Sequence, residues 1–274
     1  MIRAIQRGSL ELAVLVVGLL FFVPIFFLLT NTFKSQAEMF QSFLAFPKAI
    51  SIENYALAWK NMRYFRALVN TVIVTCGGVA VVVLFSAMAA YRIARSMSRL
   101  TTWLLLFFVL SMMLPFQTIM IPLVQVVGWA GLLGSRFGFI IVAAALLCPF
   151  TIYLYRGFFV QIPMELEEAA SMEGAGSIRT FFSVVFPLVK SVTVTAVMIN
   201  ALGIWNDFIL ALLLLQEPKL MTLQLSVVQY AGRYALQWNL ILATLALVVV
   251  PIMVLYLFLQ RHIQSGLVSG ALKG

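Results

Sequence analysis

The feature that most constrains this chain is a series of long stretches without a single charged residue. Leu12–Leu29 is a run of 18 such residues, and Ala67–Tyr91 and Leu100–Ser135 are longer still. A membrane-crossing helix needs about 20 mostly apolar residues. Of the 274 residues, 63% are hydrophobic and only 10% charged, against about 25% charged in an ordinary soluble domain. Covering that much apolar surface requires lipid as solvent. The expectation is an all-α, polytopic membrane protein forming a single transmembrane domain over residues 1–274.

Charge gaps place six transmembrane helices, at about 11–30, 67–91, 103–123, 137–155, 191–215 and 239–260. The uncharged stretch that ends at Ser135 exceeds one span, so it turns where Gly128, Gly131 and Gly134 cluster. The first apolar run resembles a signal sequence. Its length exceeds the usual cleaved core of about 7–15 residues, and no small-x-small cleavage site follows, so an uncleaved first helix is expected. Pro24, Pro115, Pro122, Pro149 and Pro251 fall inside spans, where neighbouring helices re-satisfy freed backbone groups. The segment 31–66 is polar, with a short helix expected to begin near Ser51.

The formal charge is +9. Such a balance in a soluble domain points to nucleic acid. Here the basic residues sit in loops and tails, where anionic lipid and the positive-inside bias explain them; no nucleic-acid partner is expected. The short link 92–102 carries Arg92, Arg95 and Arg99 with no acid, which places it in the cytoplasm. An even number of spans then puts both termini and the 156–190 loop there too. The two cysteines, Cys76 and Cys148, form neither a metal-ligand spacing nor a disulfide framework, and no metal site is expected. His262, beside Arg261, reads as a solvated residue at a helix end.

The 156–190 loop holds four of the nine acidic residues. Pro163 suits a helix's first turn. Glu165, Glu167 and Glu168 follow, where the helix dipole favours negative charge. Gly174 and Gly176 break this helix, and Ser177 is placed to cap a second one. Ile178, Phe181, Phe182, Val185 and Phe186 then form an apolar stripe at helical spacing, which Pro187 closes. The loop therefore reads as a helix-turn-helix lying against the membrane or the ends of the bundle. An ordinary interfacial hairpin accounts for these features equally well.

Glu168-Ala169-Ala170, then Gly174, then Pro187, resembles the Glu-Ala-Ala signature of the membrane subunits of binding-protein-dependent ABC importers. Glu173 stands where that pattern favours Asp, and Val184 and Phe186 where it favours Ile and Leu. Ile162-Pro163 with Glu165-Leu166, Trp205-Asn206-Asp207-Phe208, and the tail with Gly266-Leu267, Gly270-Ala271 and Lys273-Gly274 resemble the maltose-type sugar permeases. The resemblance implies a cytoplasmic (inner) membrane protein of a bacterium or archaeon that transports a sugar or oligosaccharide. It implies four kinds of partner: a second permease subunit, two ATPase subunits, an extracytoplasmic solute-binding protein, and lipid. It makes the first loop helix a coupling helix seated in a cleft of an ATPase subunit, with Glu168, Ala169, Ala170, Gly174 and Pro187 as docking residues. It carries the tail 261–274, with Gly270 and Lys273, to the ATPase seam. The chain has no G-x-x-x-x-G-K-[ST] loop to cradle phosphates. ATP and Mg are therefore expected on the partner ATPase subunits, with no cofactor and no catalysis in this chain.

Asp207 is the one acid well inside an expected span, where charge costs roughly 2.5–3.5 kcal/mol on insertion scales. Asn200 lies two turns earlier on the same face, and Trp205 and Asn206 are adjacent. Sugar hydroxyls need hydrogen-bond partners and a sugar's C–H face packs on an aromatic ring, so Asn200, Trp205, Asn206 and Asp207 are candidates for a translocation path. Helix-to-helix bonding is the competing explanation. Two other transporter classes stay open: an ABC permease for glycerol phosphate, peptide or amino acid, and a secondary transporter, which would leave the Glu-Ala-Ala loop unexplained.

Overall fold

The computed structural model describes residues 2–96, 98–233 and 237–271, with backbone alone for 2–9, 233, 255 and 258–271. Every regular element among them is helical. In chain order these are α1 (Ile2–Asn31), α2 (Gln36–Gln41), α3 (Glu53–Asn61), α4 (Tyr64–Arg95), α5 (Arg99–Ser111), α6 (Phe116–Trp129) and α7 (Arg136–Phe159). Then follow α8 (Glu165–Met172), α9 (Ser177–Thr180), a π-helical turn over Phe181–Val185, α10 (Phe186–Leu188), α11 (Lys190–Asn206), α12 (Ile209–Leu214), α13 (Leu223–Arg233) and α14 (Trp238–Ala271).

All six expected spans are helical, but not all are single rods. Leu10–Asn31, Tyr64–Arg95 and Arg136–Phe159 are each long and apolar enough to cross a membrane alone. The span expected at 103–123 is two helices, α5 and α6, bent by 108°. The cause is Pro115, which sits as the N-cap of α6 in extended backbone. Its ring also disfavours helical geometry at Leu114. The turn expected among the glycines is present, with Gly131 and Gly134 at positive φ. The span expected at 191–215 ends at Asn206, and α12 resumes at Ile209. Asp207 takes extended backbone there, and its Oδ1 accepts a 2.8 Å bond from the Leu210 N–H. That bond satisfies one of the backbone donors that a helix start leaves without an intrahelical partner. Trp238–Val254 is a shorter apolar helix.

The chain divides into two compact units. One comprises Met1–Phe65 with Ser226–Pro251, the other Arg66–Leu225 with Ile252–Gly274. In the first, none of the side chains in the apolar window of α1 is buried, and an exposed apolar surface of that size marks a lipid or protein contact. Lys34, 1% exposed, is held by Asn31 Oδ1 at 2.9 Å and the carbonyls of Ser42 and Phe43 at 3.1 and 3.2 Å. Asn54 donates to the carbonyls of Thr32 and Lys34 and accepts from Asn239. These bonds organise the polar segment 31–66. The short helix expected near Ser51 starts at Glu53 with Ile52 as its N-cap, and Ser51 Oγ accepts from the Glu53 N–H at 3.2 Å.

In the second unit α7 is the central element. Phe139, Val142 and Ala143 near its start join Val74, Ile204, Leu210 and Leu214 in one core. Gly138 permits this start, since a Cβ there would collide with the Leu132 carbonyl oxygen. Ile152, Tyr155 and Phe159 near the end of α7 join Ala87, Ala90, Phe181, Val185 and Val192 in a second core. The second core extends from α4 and α7 into the exit arm of the 156–190 loop.

Candidate functional site: the 156–190 loop

The loop folds as a helix, a turn and a second helical arm, though with shifted starts. Pro163 stands before the first helix, because Met164 occupies its N-cap position and Glu165 is its first residue. Gly176 rather than Ser177 is the N-cap of the second arm, and no side chain caps it. Gly174 has φ +82°, the left-handed geometry that glycine adopts without the Cβ penalty. This turn ends α8 and sends the chain back.

Helix α8 has two unlike faces. Glu165, Glu168, Ala169, Met172 and Glu173 are exposed, Met172 at 90%. Ala170 is buried on the other side. Of the docking candidates, Glu168 and Ala169 thus lie on the outer surface, Ala170 faces the core, and Gly174 is exposed at the turn. Pro187 is exposed near the end of the second arm, in the first turn of α10. The arm's stripe is divided: Phe181 and Val185 are buried, whereas Ile178 is 74% and Phe182 43% exposed. Gly176, Ser177, Ile178, Arg179 and Phe182 line an open apolar depression on its outer side.

Glu167 was expected only as part of the acidic first turn. It turns inward instead, and one carboxylate oxygen takes a 2.6 Å bond from Arg95 Nε. The other takes a 2.6 Å bond from the Tyr91 hydroxyl. Arg95 also donates from Nη2 to the Ile162 carbonyl at 3.0 Å. The signal available in the sequence was Arg95 itself, in a basic link with no acid of its own and four residues after Tyr91, on the same helical face.

The translocation candidates are scattered rather than gathered. Asn200 is 1% exposed, and its Nδ2 donates to Thr151 Oγ1 of α7 at 3.0 Å and to the Ala196 carbonyl at 2.7 Å. Trp205 is buried, and its indole N–H finds no hydrogen-bond acceptor among the described residues. Asn206 is exposed, donating to the Leu202 carbonyl and accepting from Gln224 Nε2 at 3.4 Å. Asn200 and Asp207 do not share a helical face, because the helix breaks between Asn206 and Ile209. The tail also differs from expectation. Helix α14 runs to Ala271 with Gly270 in its last turn, past the expected end of the sixth span near residue 260. Glycine costs a helix about 1 kcal/mol, too little at two positions to end one of this length. Lys273 lies outside the described residues.

Residues 82–269 match the family model described as binding-protein-dependent transport system inner membrane component. The chain is 34% identical over 99% of its length to the melibiose/raffinose/stachyose import permease protein MelC of Bacillus subtilis, covering 100% of that protein. It is 30% identical to the probable starch degradation products transport system permease protein AmyC of Thermoanaerobacterium thermosulfurigenes, with 98% of each covered. It is 35% identical to the multiple sugar-binding transport system permease protein MsmG of Streptococcus mutans, with 93% of each covered. A crystal structure of a bacterial ABC transporter involved in the import of the acidic polysaccharide alginate contains a chain of the same fold. The TM-score is 0.80 at 24% identity, with 93% of this chain and 95% of that one covered. The apolar helices, the two-faced helix inside a Glu-Ala-Ala loop and the near full-length matches converge: this chain belongs to the binding-protein-dependent transport system inner membrane components, the permease subunits of ABC importers.

Proposed function

We propose that this permease imports a sugar or oligosaccharide, and that it transmits the work of partner ATPase subunits through α8. The observation that carries the coupling role is the division of α8. Its inner face is tied to α4 through Glu167, while Glu168, Ala169, Met172 and Glu173 stand clear on the other side. A small residue such as Ala169 between acidic neighbours lets another surface approach closely. The sugar assignment rests on the named substrates of relatives matched over nearly the whole chain.

In this reading the chain pairs with a second permease subunit, a paralogue, and the pair meets two ATPase subunits in the cytoplasm and a solute-binding protein outside. ATP and Mg act on the ATPase subunits. Closure of that pair shifts α8 and its counterpart and switches the path between inward- and outward-facing states. Six crossings leave both termini in the cytoplasm, with α5 and α6 sharing one crossing. Helix α14 directs Gly270 and Lys273 toward the ATPase seam. The helix break at Asp207 brings Asn206 and Gln224 together in an exposed position, the type of polar edge that sugar hydroxyls use. Trp205 and Asn200 support that edge from within the bundle.

Uptake by cells expressing the whole transporter tests this reading. Labelled raffinose, melibiose and maltotriose should enter in an ATP-dependent manner, and the permease should co-purify with an ATPase subunit. Accumulation of glycerol phosphate, a peptide or an amino acid with none of the three sugars would overturn the sugar assignment.

A further inference from the structure

One turn of α4 contacts the 156–190 loop at its entry, its first helix and its exit arm. The entry is held through Arg95 Nη2 on the Ile162 carbonyl, 3.0 Å, just beyond the end of α7. The helix itself is held through Glu167, whose two carboxylate oxygens are taken separately by Arg95 Nε and the Tyr91 hydroxyl at 2.6 Å each. The exit arm is held through the Tyr91 ring, 5.1 Å from the Phe181 ring and 5.7 Å from Phe159 of α7. The guanidinium of Arg95 also lies 5.9 Å over the Tyr91 ring.

Two properties separate this cluster from a surface ion pair. The Arg95 and Glu167 side chains are only 10% and 16% exposed, so water and salt screen them weakly. The carboxylate is also bound on both oxygens by groups in a fixed register on one helix, which sets direction as well as distance. A single ion pair lets a helix swivel about one point. Three attachments at entry, middle and exit remove that freedom. The outer face of α8 contributes nothing to this fixation and stays available.

We propose that Tyr91, Arg95 and Glu167 form a clamp that makes α8 and α4 one rigid body, so that a displacement imposed on α8 reaches α4 undiminished. The clamp residues are positioning residues for transport and do not touch the solute. The proposal rests on the reading that α8 docks an ATPase subunit. Without the clamp, α8 would still present its outer face, and the loop would absorb the motion. Docking and coupling should therefore separate.

The test uses the full transporter with spin labels on cysteines at Met88, 42% exposed on α4, and at the exposed Ser171 of α8, in a background lacking Cys76 and Cys148. In the parent, the 88-to-171 distance should be the same without nucleotide and after trapping with Mg–ATP and vanadate. In Arg95→Glu the ATPase subunit should still co-purify. The distance should broaden or shift by about 1–2 Å or more on trapping, the scale of helix shifts at packed interfaces. The exchanged pair Arg95→Glu with Glu167→Arg should regain a single nucleotide-independent distance. Glu167→Gln and Tyr91→Phe keep size and packing and should loosen the distance less, which covers the case in which a charge reversal prevents assembly. A parent distance that itself changes on trapping would overturn the proposal. So would an Arg95→Glu distribution matching the parent's in both states. A parent that binds no ATPase subunit refutes the docking reading instead, and the clamp's role with it.

Discussion

Polar side chains meet opposite demands in α8 and in α11. Most of helix α8 is exposed; it turns one acid inward onto Arg95 and leaves Glu165, Glu168 and Glu173 on the surface. Helix α11 buries one face, which includes Ala196, Asn200, Ala201 and Ile204, and there an unpaired polar group costs far more than at the surface. Its Asn200 is accordingly committed to Thr151 and Ala196. Its last polar residues are placed where the helix stops, with Asp207 capping α12. In α8 the polar residues define a surface, and in α11 they define how helices join and where they break.

The largest effect that sharpens this contrast is expected at the turn after α8. Gly174 has φ +82° with open space around its Cα, so a leucine fits sterically but pays about 1–2 kcal/mol for left-handed backbone. In Gly174→Leu, α8 should be displaced from its docking geometry, with uptake reduced about tenfold if that penalty falls on the docked state. Recruitment of the ATPase subunit should fall in parallel, as measured by co-purification. Normal uptake and recruitment would break the claim that this turn sets the docking surface.

A smaller effect is expected in α11. Asn200→Ala leaves Thr151 without a side-chain partner and should lower the thermal stability of the purified transporter by about 1–2 kcal/mol. The double variant Asn200→Leu with Thr151→Val removes both polar groups and should recover much of that loss. If stability is unchanged in both and sugar preference shifts instead, Asn200 belongs to the path rather than to packing.

The smallest effect is expected at Asp207. Asp207→Asn keeps an acceptor for the Leu210 N–H and should leave stability almost unchanged. Asp207→Ala loses the cap and should cost about 1 kcal/mol. A change in uptake kinetics in Asp207→Asn with stability intact would place its charge on the path. A large loss of assembly in the same variant would show that the charge pairs with another subunit.

The same contrast explains what was legible in the sequence. The apolar runs show where helices lie, since a crossing helix needs about 20 mostly apolar residues, but not that two of the runs divide into α5 with α6 and α11 with α12. The loop was legible because Glu168, Ala169, Ala170, Gly174 and Pro187 follow one another at fixed spacing, and the turn at Gly174 is a local backbone requirement. The helix break at Asp207 was missed because a capping carboxylate and an intramembrane charge look alike in an uncharged neighbourhood. A kink at Pro115 was legible but a full 108° break was not, because prolines also occur inside the unbroken rods α1 and α7, at Pro24 and Pro149. Glu167 bonds Tyr91 and Arg95, more than 70 residues away in the chain; the acid-free link around Arg95 signalled a missing partner but not which acid supplies it.

The exposed face of α8 is the part of this account most open to direct measurement. Met172 is 90% exposed there, so a photo-reactive amino acid in its place samples whatever covers that face in the membrane. Irradiation of membranes carrying the whole transporter should give one adduct of this chain with an ATP-binding subunit, identified by mass spectrometry, and the adduct should be lost when Gly174 is replaced by leucine. An adduct formed only with lipid, or none with any ATP-binding protein, would contradict the assignment of α8 as the coupling helix.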